Sequence, residues 1–189
     1  MEDPSFAELL SERLLIRRFG PADAEPLAAY RSDAEVARYQ AWECPYSVHE
    51  AEKFIASLRG LAPGTPGTWF QFAVGLLPSG TLIGDVALRT TRSDPRQAEL
   101  GFTFAGTHQG HGYATEAVRA VAAYAFGRLA MHRVFSLTDA RNLPAQRLLE
   151  RLGFRREAEL RENTWFKGEW ASEFLYAQLE SERSPAHAV

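Results

Sequence analysis

Apolar residues along the chain alternate between the two-residue period of a strand and the 3.6-residue period of a helix. A first strand is predicted at Leu14–Phe19, and one or two short helices follow in "GPADAEPLAAYRSDAEVARY". "SVHEAEKFIASLRG" predicts another helix, because Ser47 and Glu50 have the spacing of a capping box and Gly60 follows as a stop signal.

Three strand-like runs come next, at Trp69–Leu77, Thr81–Thr90 and Ala98–Phe104. The connections between them are short and rich in turn residues, which predicts an antiparallel meander. Gly84 and Gly101 lie inside these runs and indicate bulges or a close approach of two backbones.

A glycine-rich turn then leads into a helix in "GTHQGHGYATEAVRAVAAYAF" (Gly106–Phe126). Its predicted apolar stripe consists of Ala114, Ala117, Val118, Val121, Ala122, Ala125 and Phe126. A strand is predicted at His132–Thr138. "NLPAQRLLERLGF" predicts a helix with Asn142 as its N-cap. Two strands, at about Arg156–Phe166 and Trp170–Leu179, complete the pattern.

The order of elements predicts an α/β fold with one mixed sheet of about seven strands and flanking helices. The segment from Ala98 to Thr138 is expected to be one strand–helix–strand unit, with parallel strands joined by a right-handed crossover. The remaining strands are expected to be antiparallel. We expect one domain over 13–180 and a flexible tail over 181–189.

Composition excludes several classes of function. The 189 residues are 46% hydrophobic, carry a net charge of −3 and contain no long block of like charges, which argues against nucleic acid as a partner. The sequence contains no run of about 18 apolar residues, so no membrane span is predicted. It also contains no Cys/His cluster with the spacing of a metal site. Cys44 is the only cysteine and cannot form an internal disulfide, so a reducing, cytoplasmic location is predicted. Its thiol is expected to be half-buried, with a nucleophile as the alternative.

The turn before the long helix has the composition of an anion site. The first N–H groups of a helix lack internal partners, and glycines let a phosphate approach them closely. A plain glycine turn is the simplest alternative. A dinucleotide fingerprint would need a third glycine where Thr115 stands, although Asp139 lies near the position of a ribose-binding acid. His108 and His111 are expected to be exposed turn residues.

"QGHGYA" fits Q/R-x-x-G-x-G/A, the acyl-CoA signature of the GNAT superfamily of N-acetyltransferases. "HQGHGYATEAVRAV" followed by "DARNLPAQRLLERLGF" resembles the RimJ/RimL branch, the ribosomal-protein alanine acetyltransferases. The resemblance covers about residues 13–180. It implies a GNAT fold in which a β-bulge splays two central parallel strands apart.

The resemblance also implies a site for acetyl-CoA as the cosubstrate, with no metal. Backbone N–H groups would bind the pyrophosphate at Gln109, Gly110, His111, Gly112, Tyr113, Ala114 and Thr115. The pantetheine arm would pair with the strand at Phe102, Thr103 and Phe104. Asn142 resembles the asparagine that contacts this arm, with a plain N-cap as the alternative, and Arg147 could reach the phosphates.

The implied reaction is the direct attack of a primary amine on the thioester. Glu99 lies where relatives often carry an acid, so it is a candidate general base. Its alternative role is an ion pair with an arginine or with the acceptor. Ala145 and Leu149 replace the serine and tyrosine that relatives place near the thiolate. A thiolate is a tolerable leaving group without an acid, because the thiol pKa is about 8.5.

The acceptor is expected near "RYQAWECPY", which supplies Tyr39, Trp42, Glu43 and Tyr46. Packing for the aromatic rings and solvent for Glu43 are the alternatives. The resemblance favours a protein or peptide N-terminal α-amine. A small-molecule amine (a polyamine, an amino acid or an aminoglycoside) and a non-catalytic acyl-CoA-binding module are the alternatives. The chain is expected to be a monomer or a homodimer.

Overall fold

The computed structural model describes residues 1–183. Within these residues one sheet has eight strands, one more than predicted. The strands are β1 (Glu8–Leu10), β2 (Leu14–Arg17), β3 (Trp69–Leu76), β4 (Leu82–Thr90), β5 (Gln97–Phe104), β6 (Arg133–Asp139), β7 (Arg155–Phe166) and β8 (Glu169–Leu179). The additional strand is β1, an edge strand of three residues. It is too short to show a period in the sequence.

The same residues contain five α-helices, all in predicted regions. They are α1 (Ala24–Arg31), α2 (Ala34–Ala37), α3 (Val48–Ser57), α4 (Tyr113–Gly127) and α5 (Leu143–Arg151). None of these helices combines the length and apolar content that a bilayer crossing requires. Of the tail expected over 181–189, the first two residues belong to a 3₁₀ turn at Glu180–Glu182. Residues 184–189 lie outside the described part of the chain.

The predicted capping signals act as expected. Ser47 Oγ accepts a hydrogen bond from the Glu50 N–H at 3.2 Å, and the Glu50 carboxylate accepts one from the Ser47 N–H at 2.7 Å. The Asn142 side chain accepts from the Ala145 N–H at 3.3 Å and starts α5. Gly153, with a φ of 84°, follows the end of this helix. These local contacts satisfy N–H groups that no helix can satisfy internally.

The strand order is β1-β2-β3-β4-β5-β6-β8-β7, and β5–β6 is the parallel pair among otherwise antiparallel neighbours. This confirms the predicted mixed sheet, with α4 as the crossover between β5 and β6. The final hairpin joins the sheet through its second strand, because β8 lies next to β6 and β7 forms the edge. The parallel pair extends over only three residue pairs, Gln97–Arg133 to Glu99–Phe135.

Helices cover both faces of the sheet. On one face α4 and α5 pack their apolar stripes, including fully buried Val118 and Leu149, against β-strand residues such as Phe72. On the other face α1 and α3 bury Leu27 and Ile55 in a second, smaller cluster. Burial of these side chains fixes the sheet between two layers. The gap between β5 and β6 is therefore reachable only where the two strands separate.

The two strand glycines have different roles. The register of β3 and β4 shifts beside Gly84 and leaves Ile83 as the extra residue of a bulge. A Cβ on Gly84 would also lie 2.4 Å from the Thr103 carbonyl oxygen. Both predictions for Gly84 are confirmed. Gly101 takes part in neither, because the β4–β5 register runs without a break from Gly84 to Thr90 and a Cβ would meet only the Ala87 side chain, at 3.9 Å.

Candidate active site

The cleft opens where β5 and β6 separate. β5 stays paired with β4 as far as Phe104, and β6 stays paired with β8 as far as Asp139, but their pairing with each other ends at Glu99 and Phe135. A cleft of about 160 Å³ fills the gap. Its lining comes from the segment after α2 (Tyr39, Gln40), β5 (Gly101, Phe102), β6 (Ser136–Asp139), α5 (Asn142, Ala145) and the β7–β8 hairpin (Thr164, Phe166, Ala171, Glu173).

The edge of β5 that faces the gap offers backbone groups in place of a paired strand. The Phe102 carbonyl accepts from Gln40 Nε2 at 3.5 Å, and the Phe104 carbonyl accepts from Gln109 Nε2 at 2.9 Å. Backbone groups alternate sides along a strand, so those of Thr103 point to β4, and its side chain is buried. Of the three strand residues expected to bind a ligand, Phe102 and Phe104 thus turn their backbone to the cleft side. The splay forms without the expected bulge in β5.

The start of α4 lacks a side-chain cap. Gly112 is the N-cap residue with a φ of 82°, and Gly110 has a φ of 78°. The first helical hydrogen bond runs from the Glu116 N–H to the Gly112 carbonyl. Within residues 1–183 the N–H groups of Gly110 to Thr115 have no hydrogen-bond acceptor. A Cβ on Gly110 would meet nothing within 4 Å. The turn is therefore an open set of donors at the positive end of a helix dipole.

Residues far away in the sequence hold this turn in place. Arg13 donates to the His111 carbonyl at 3.1 Å, and its guanidinium lies 4.6 Å from the centre of the Tyr113 ring. Arg13 also pairs with Glu116 at 2.7 Å, and Ser11 donates to the same carboxylate at 2.8 Å. Burial raises the pKa of Glu116, but the hydrogen bonds from Ser11 and Arg13 outweigh it and hold that pKa below its usual range. The turn motif gives no signal for Arg13.

The beginning of α5 closes one side of the cleft. Asn142 is half-buried there, and its carbonyl oxygen caps the helix, as the simpler of the two expectations requires. Ala145 is buried at the cleft wall, and Leu149 is fully buried in the core, so neither position brings a hydroxyl to the gap. The Ser136 and Thr138 residues of β6 line the cleft instead. Arg147 points outward and is exposed.

Glu99 lies at the closed end of the splay, opposite Phe135. Its carboxylate forms an ion pair with Arg89 on β4, and it is not among the cleft residues. This contact corresponds to the alternative of an arginine pair. The role of Glu99 as a base stays a prediction.

The four residues expected around the acceptor separate into two groups. Tyr39 lines the cleft, and its hydroxyl donates to the Arg141 carbonyl at 3.4 Å. Trp42 and Tyr46 instead surround the buried Arg31, whose guanidinium carbon lies 4.3 and 5.1 Å from their ring centres. Glu43 is exposed. Trp42 and Tyr46 therefore have the packing role that was the alternative to acceptor binding.

The loop that carries Trp42 is also fixed through backbone contacts. Trp42 Nε1 and Cys44 Sγ both donate to the Arg31 carbonyl, at 3.0 and 3.3 Å. Cys44 is exposed, contrary to the expected half-burial, because it lies in the surface loop before α3. Beneath this loop Tyr30 donates to the buried Asp85. Burial raises the pKa of Asp85.

Carboxylates at the far end of the cleft were missed by sequence reasoning. Arg141 holds Asp139 with two side-chain hydrogen bonds of 2.7 and 2.9 Å and reaches Glu169 at 2.5 Å. Burial raises the pKa of Asp139, but the bonds from Arg141 outweigh it, so that pKa lies below its usual range. Glu173 has no arginine partner among residues 1–183. It accepts from Asn163 at 2.6 Å and from Thr164 at 2.9 Å.

No three His, Cys, Asp or Glu side chains of residues 1–183 are grouped so that they could hold a metal ion. Among the described residues, the polar groups of the cleft and the turn thus include unpaired backbone N–H groups, backbone carbonyls, hydroxyls and one carboxylate without a cationic partner. Such an arrangement can bind a phosphate at one end and a polar or cationic group at the other.

Known proteins share this architecture. The acetyltransferase (GNAT) domain family matches residues 13–155. YdaF of Bacillus subtilis, a candidate ribosomal N-acetyltransferase, is 29% identical over 178 residues, which cover 92% of this chain and 94% of YdaF. A GNAT-family acetyltransferase of Bacillus anthracis superposes with a TM-score of 0.83 at 28% identity, covering 93% of this chain and 99% of that one.

Spermidine N-acetyltransferase of Vibrio cholerae, solved with CoA and spermine, shares the fold with a TM-score of 0.76 at 24% identity, covering 91% of this chain and 98% of that one. The family match over residues 13–155 shows the assignment, and the splayed parallel pair agrees with it. The chain belongs to the GNAT acetyltransferase family and is an N-acetyltransferase.

Proposed function

We propose that the chain transfers an acetyl group from acetyl-CoA to the α-amine of a protein or peptide N-terminus, as a RimJ/RimL-like enzyme. The observation that carries this proposal is the adjacency of an uncapped helix start, from Gly110 to Thr115, to the open edge of β5. The first feature suits a pyrophosphate, and the second suits an extended arm.

The residues of the turn fit the donor. Six consecutive N–H groups lack an acceptor within the described chain, and Gly110 and Gly112, both at positive φ, place no side chain beside them. The arm would take the place of a strand beside β5 and use the Phe102 and Phe104 backbone groups, which now hold the Gln40 and Gln109 side chains. Bound acetyl-CoA supplies the activated acetyl group.

Other residues are proposed for smaller roles. Asn142 would reach the arm from the cleft wall while it caps α5, and Arg147 would meet phosphate at the surface. Hydroxyls on β6 at Ser136 and Thr138 would be the cleft's neutral donors near the sulfur, since Ala145 and Leu149 offer none. Glu99 stays our sequence-based candidate for the base, acting through water.

An α-amine suits this site better than a lysine side chain. Its pKa is about 8, whereas that of lysine is about 10.4, so deprotonating lysine costs about 3 kcal/mol more. The likeness to the candidate ribosomal acetyltransferase YdaF also supports a protein acceptor. A small-molecule polyamine is the second candidate, favoured by the fold shared with a spermidine acetyltransferase.

An amine panel tests the proposal. CoA release is followed with acetyl-CoA and four acceptors: alanine- and serine-starting tetrapeptide amides, a lysine peptide with a blocked N-terminus, and spermidine. We expect the free N-terminal peptides to give the highest kcat/KM. A higher kcat/KM with spermidine than with these peptides would favour a small-molecule amine as the acceptor. Binding of acetyl-CoA without release of CoA on any acceptor would contradict both.

A further inference from the structure

The carboxylates near the splay differ in one respect. Asp139 and Glu169 are both held by Arg141, and Glu99 is held by Arg89. Glu173, which lines the same cleft, forms no ion pair with any cationic side chain within residues 1–183. Arginine pairing neutralises a carboxylate as a binding site for another cation. Glu173 is thus the cleft's unpaired negative charge.

The contacts of Glu173 also leave one of its oxygens open. The Asn163 amide and the Thr164 hydroxyl both donate to Oε2, at 2.6 and 2.9 Å. Oε1 accepts no hydrogen bond in the described chain. The two donors fix the side chain from one side, as a positioned catalytic group requires. An ionised carboxylate has capacity for further donors on its second oxygen.

We propose that Glu173 binds the ammonium form of the acceptor and accepts its proton during acetyl transfer. This inference rests on the proposed function of the cleft. The proton passes from the ammonium nitrogen to the Glu173 carboxylate, which frees the nitrogen lone pair. The nitrogen then forms a bond to the thioester carbonyl carbon, the carbon–sulfur bond breaks, and its electron pair leaves on sulfur. A second N–H proton goes to the sulfur or to water, giving the amide and CoA.

The position of Glu173 along the cleft supports this assignment over Glu99. Glu173 pairs with Asp139 on β6, and Glu99 pairs with Phe135. Four residues of β6 separate the two levels, which is about 13 Å along the strand. Glu173 therefore lies at the open end of the cleft, and the aromatic residues Tyr39 and Phe166 also line this cleft. Aromatic faces favour a nearby ammonium.

Four variants test the proposal: Glu173→Gln, Glu173→Asp, Glu99→Gln and Glu159→Gln. Glutamine at 173 keeps an oxygen for Asn163 and Thr164 but removes the charge. Glu159 is an exposed carboxylate in the same hairpin and serves as the matched control. The acceptor is the one with the highest kcat/KM in the panel above, and steady-state rates are measured from pH 5.5 to 9.5.

We expect Glu173→Gln to lower kcat/KM for the amine at least about 100-fold, as loss of a general base does. The acidic limb of the pH profile should change, acetyl-CoA affinity should stay the same, and Glu173→Asp should restore part of the rate. Glu159→Gln should match the wild type. A rate within threefold of the wild type in Glu173→Gln, or a 100-fold loss with a changed profile in Glu99→Gln alone, would overturn the assignment.

A second readout separates this inference from the proposed function. Titration calorimetry measures binding of the alanine-starting tetrapeptide amide to the wild type and to Glu173→Gln in the presence of CoA. Weaker binding only in the variant supports the ammonium site even if the wild type turns over no acceptor of the panel. Equal affinity in both proteins contradicts it even if acetyl transfer is observed.

Discussion

The two ends of the site are built in different ways. The proposed donor end is a single continuous segment, from Gly110 to Thr115, and it would act through backbone N–H groups that any sequence with the right glycines can present. The cleft proposed as the acceptor end is assembled from five separate segments and would act through side chains, chiefly Tyr39, Phe166 and Glu173. A local site leaves a motif in the sequence, whereas an assembled site becomes visible only when the chain is folded.

The largest effect is expected from a change at the donor end. Gly112→Val should weaken acetyl-CoA binding at least about 100-fold, which corresponds to roughly 2.7 kcal/mol. A β-branched residue is strained at a φ of 82°, and its side chain would crowd the N–H groups of α4. Calorimetry of acetyl-CoA binding measures the loss.

The control separates strain from crowding. Gly60 has a φ of 75° in a surface loop, and a Cβ there would meet nothing within 4 Å. Gly60→Val should lower the free energy of unfolding by about 1–3 kcal/mol, as strain alone does, but leave acetyl-CoA affinity unchanged. If Gly112→Val and the wild type bound acetyl-CoA with equal affinity, the proposal that this turn binds acetyl-CoA would be wrong.

A moderate effect is expected at the acceptor end. Tyr39→Ala should raise the KM for the amine about tenfold, which is about 1.4 kcal/mol, because Tyr39 forms part of the cleft wall. The KM for acetyl-CoA should change by less than about twofold. Steady-state kinetics with both substrates varied gives the two constants.

Trp42 provides the contrast within the same segment. Trp42→Ala removes a ring that lies over the Arg31 guanidinium and a hydrogen bond to the Arg31 carbonyl. We expect a loss of about 2 kcal/mol in unfolding free energy and equal changes in the two KM values. A rise in the amine KM alone would instead support the sequence-based prediction that Trp42 contacts the acceptor.

The sequence predicted the fold well because its signals are local. Capping residues such as Ser47 and Asn142 mark helix starts within four residues, and the strand runs show their period directly. It could not predict that β8 lies between β6 and β7, which brings Thr164 and Glu173 to the splay. Nor could it separate Tyr39 from Trp42, since neighbours in a loop point to different surroundings. The partner of Glu99 depends on the β4–β5 register, which no residue pattern specifies.

The smallest effect concerns contacts that reach the start of α4 from elsewhere in the sequence, those of Glu116 with Ser11 and Arg13. Because the folded-state pKa of Glu116 is lowered, its carboxylate stabilises the fold above the unfolded pKa of about 4.3, and this contribution is lost as the pH falls through the folded value. Glu116→Gln should therefore be about 1 kcal/mol less stable at pH 7, and the difference should shrink as the pH falls. Urea unfolding at pH 7, 5 and 3 measures it. Glu25→Gln, a change in the first turn of α1, reports the helix-dipole contribution alone. Equal losses in both variants at pH 7 would mean that Ser11 and Arg13 add no stability beyond the helix-dipole contribution.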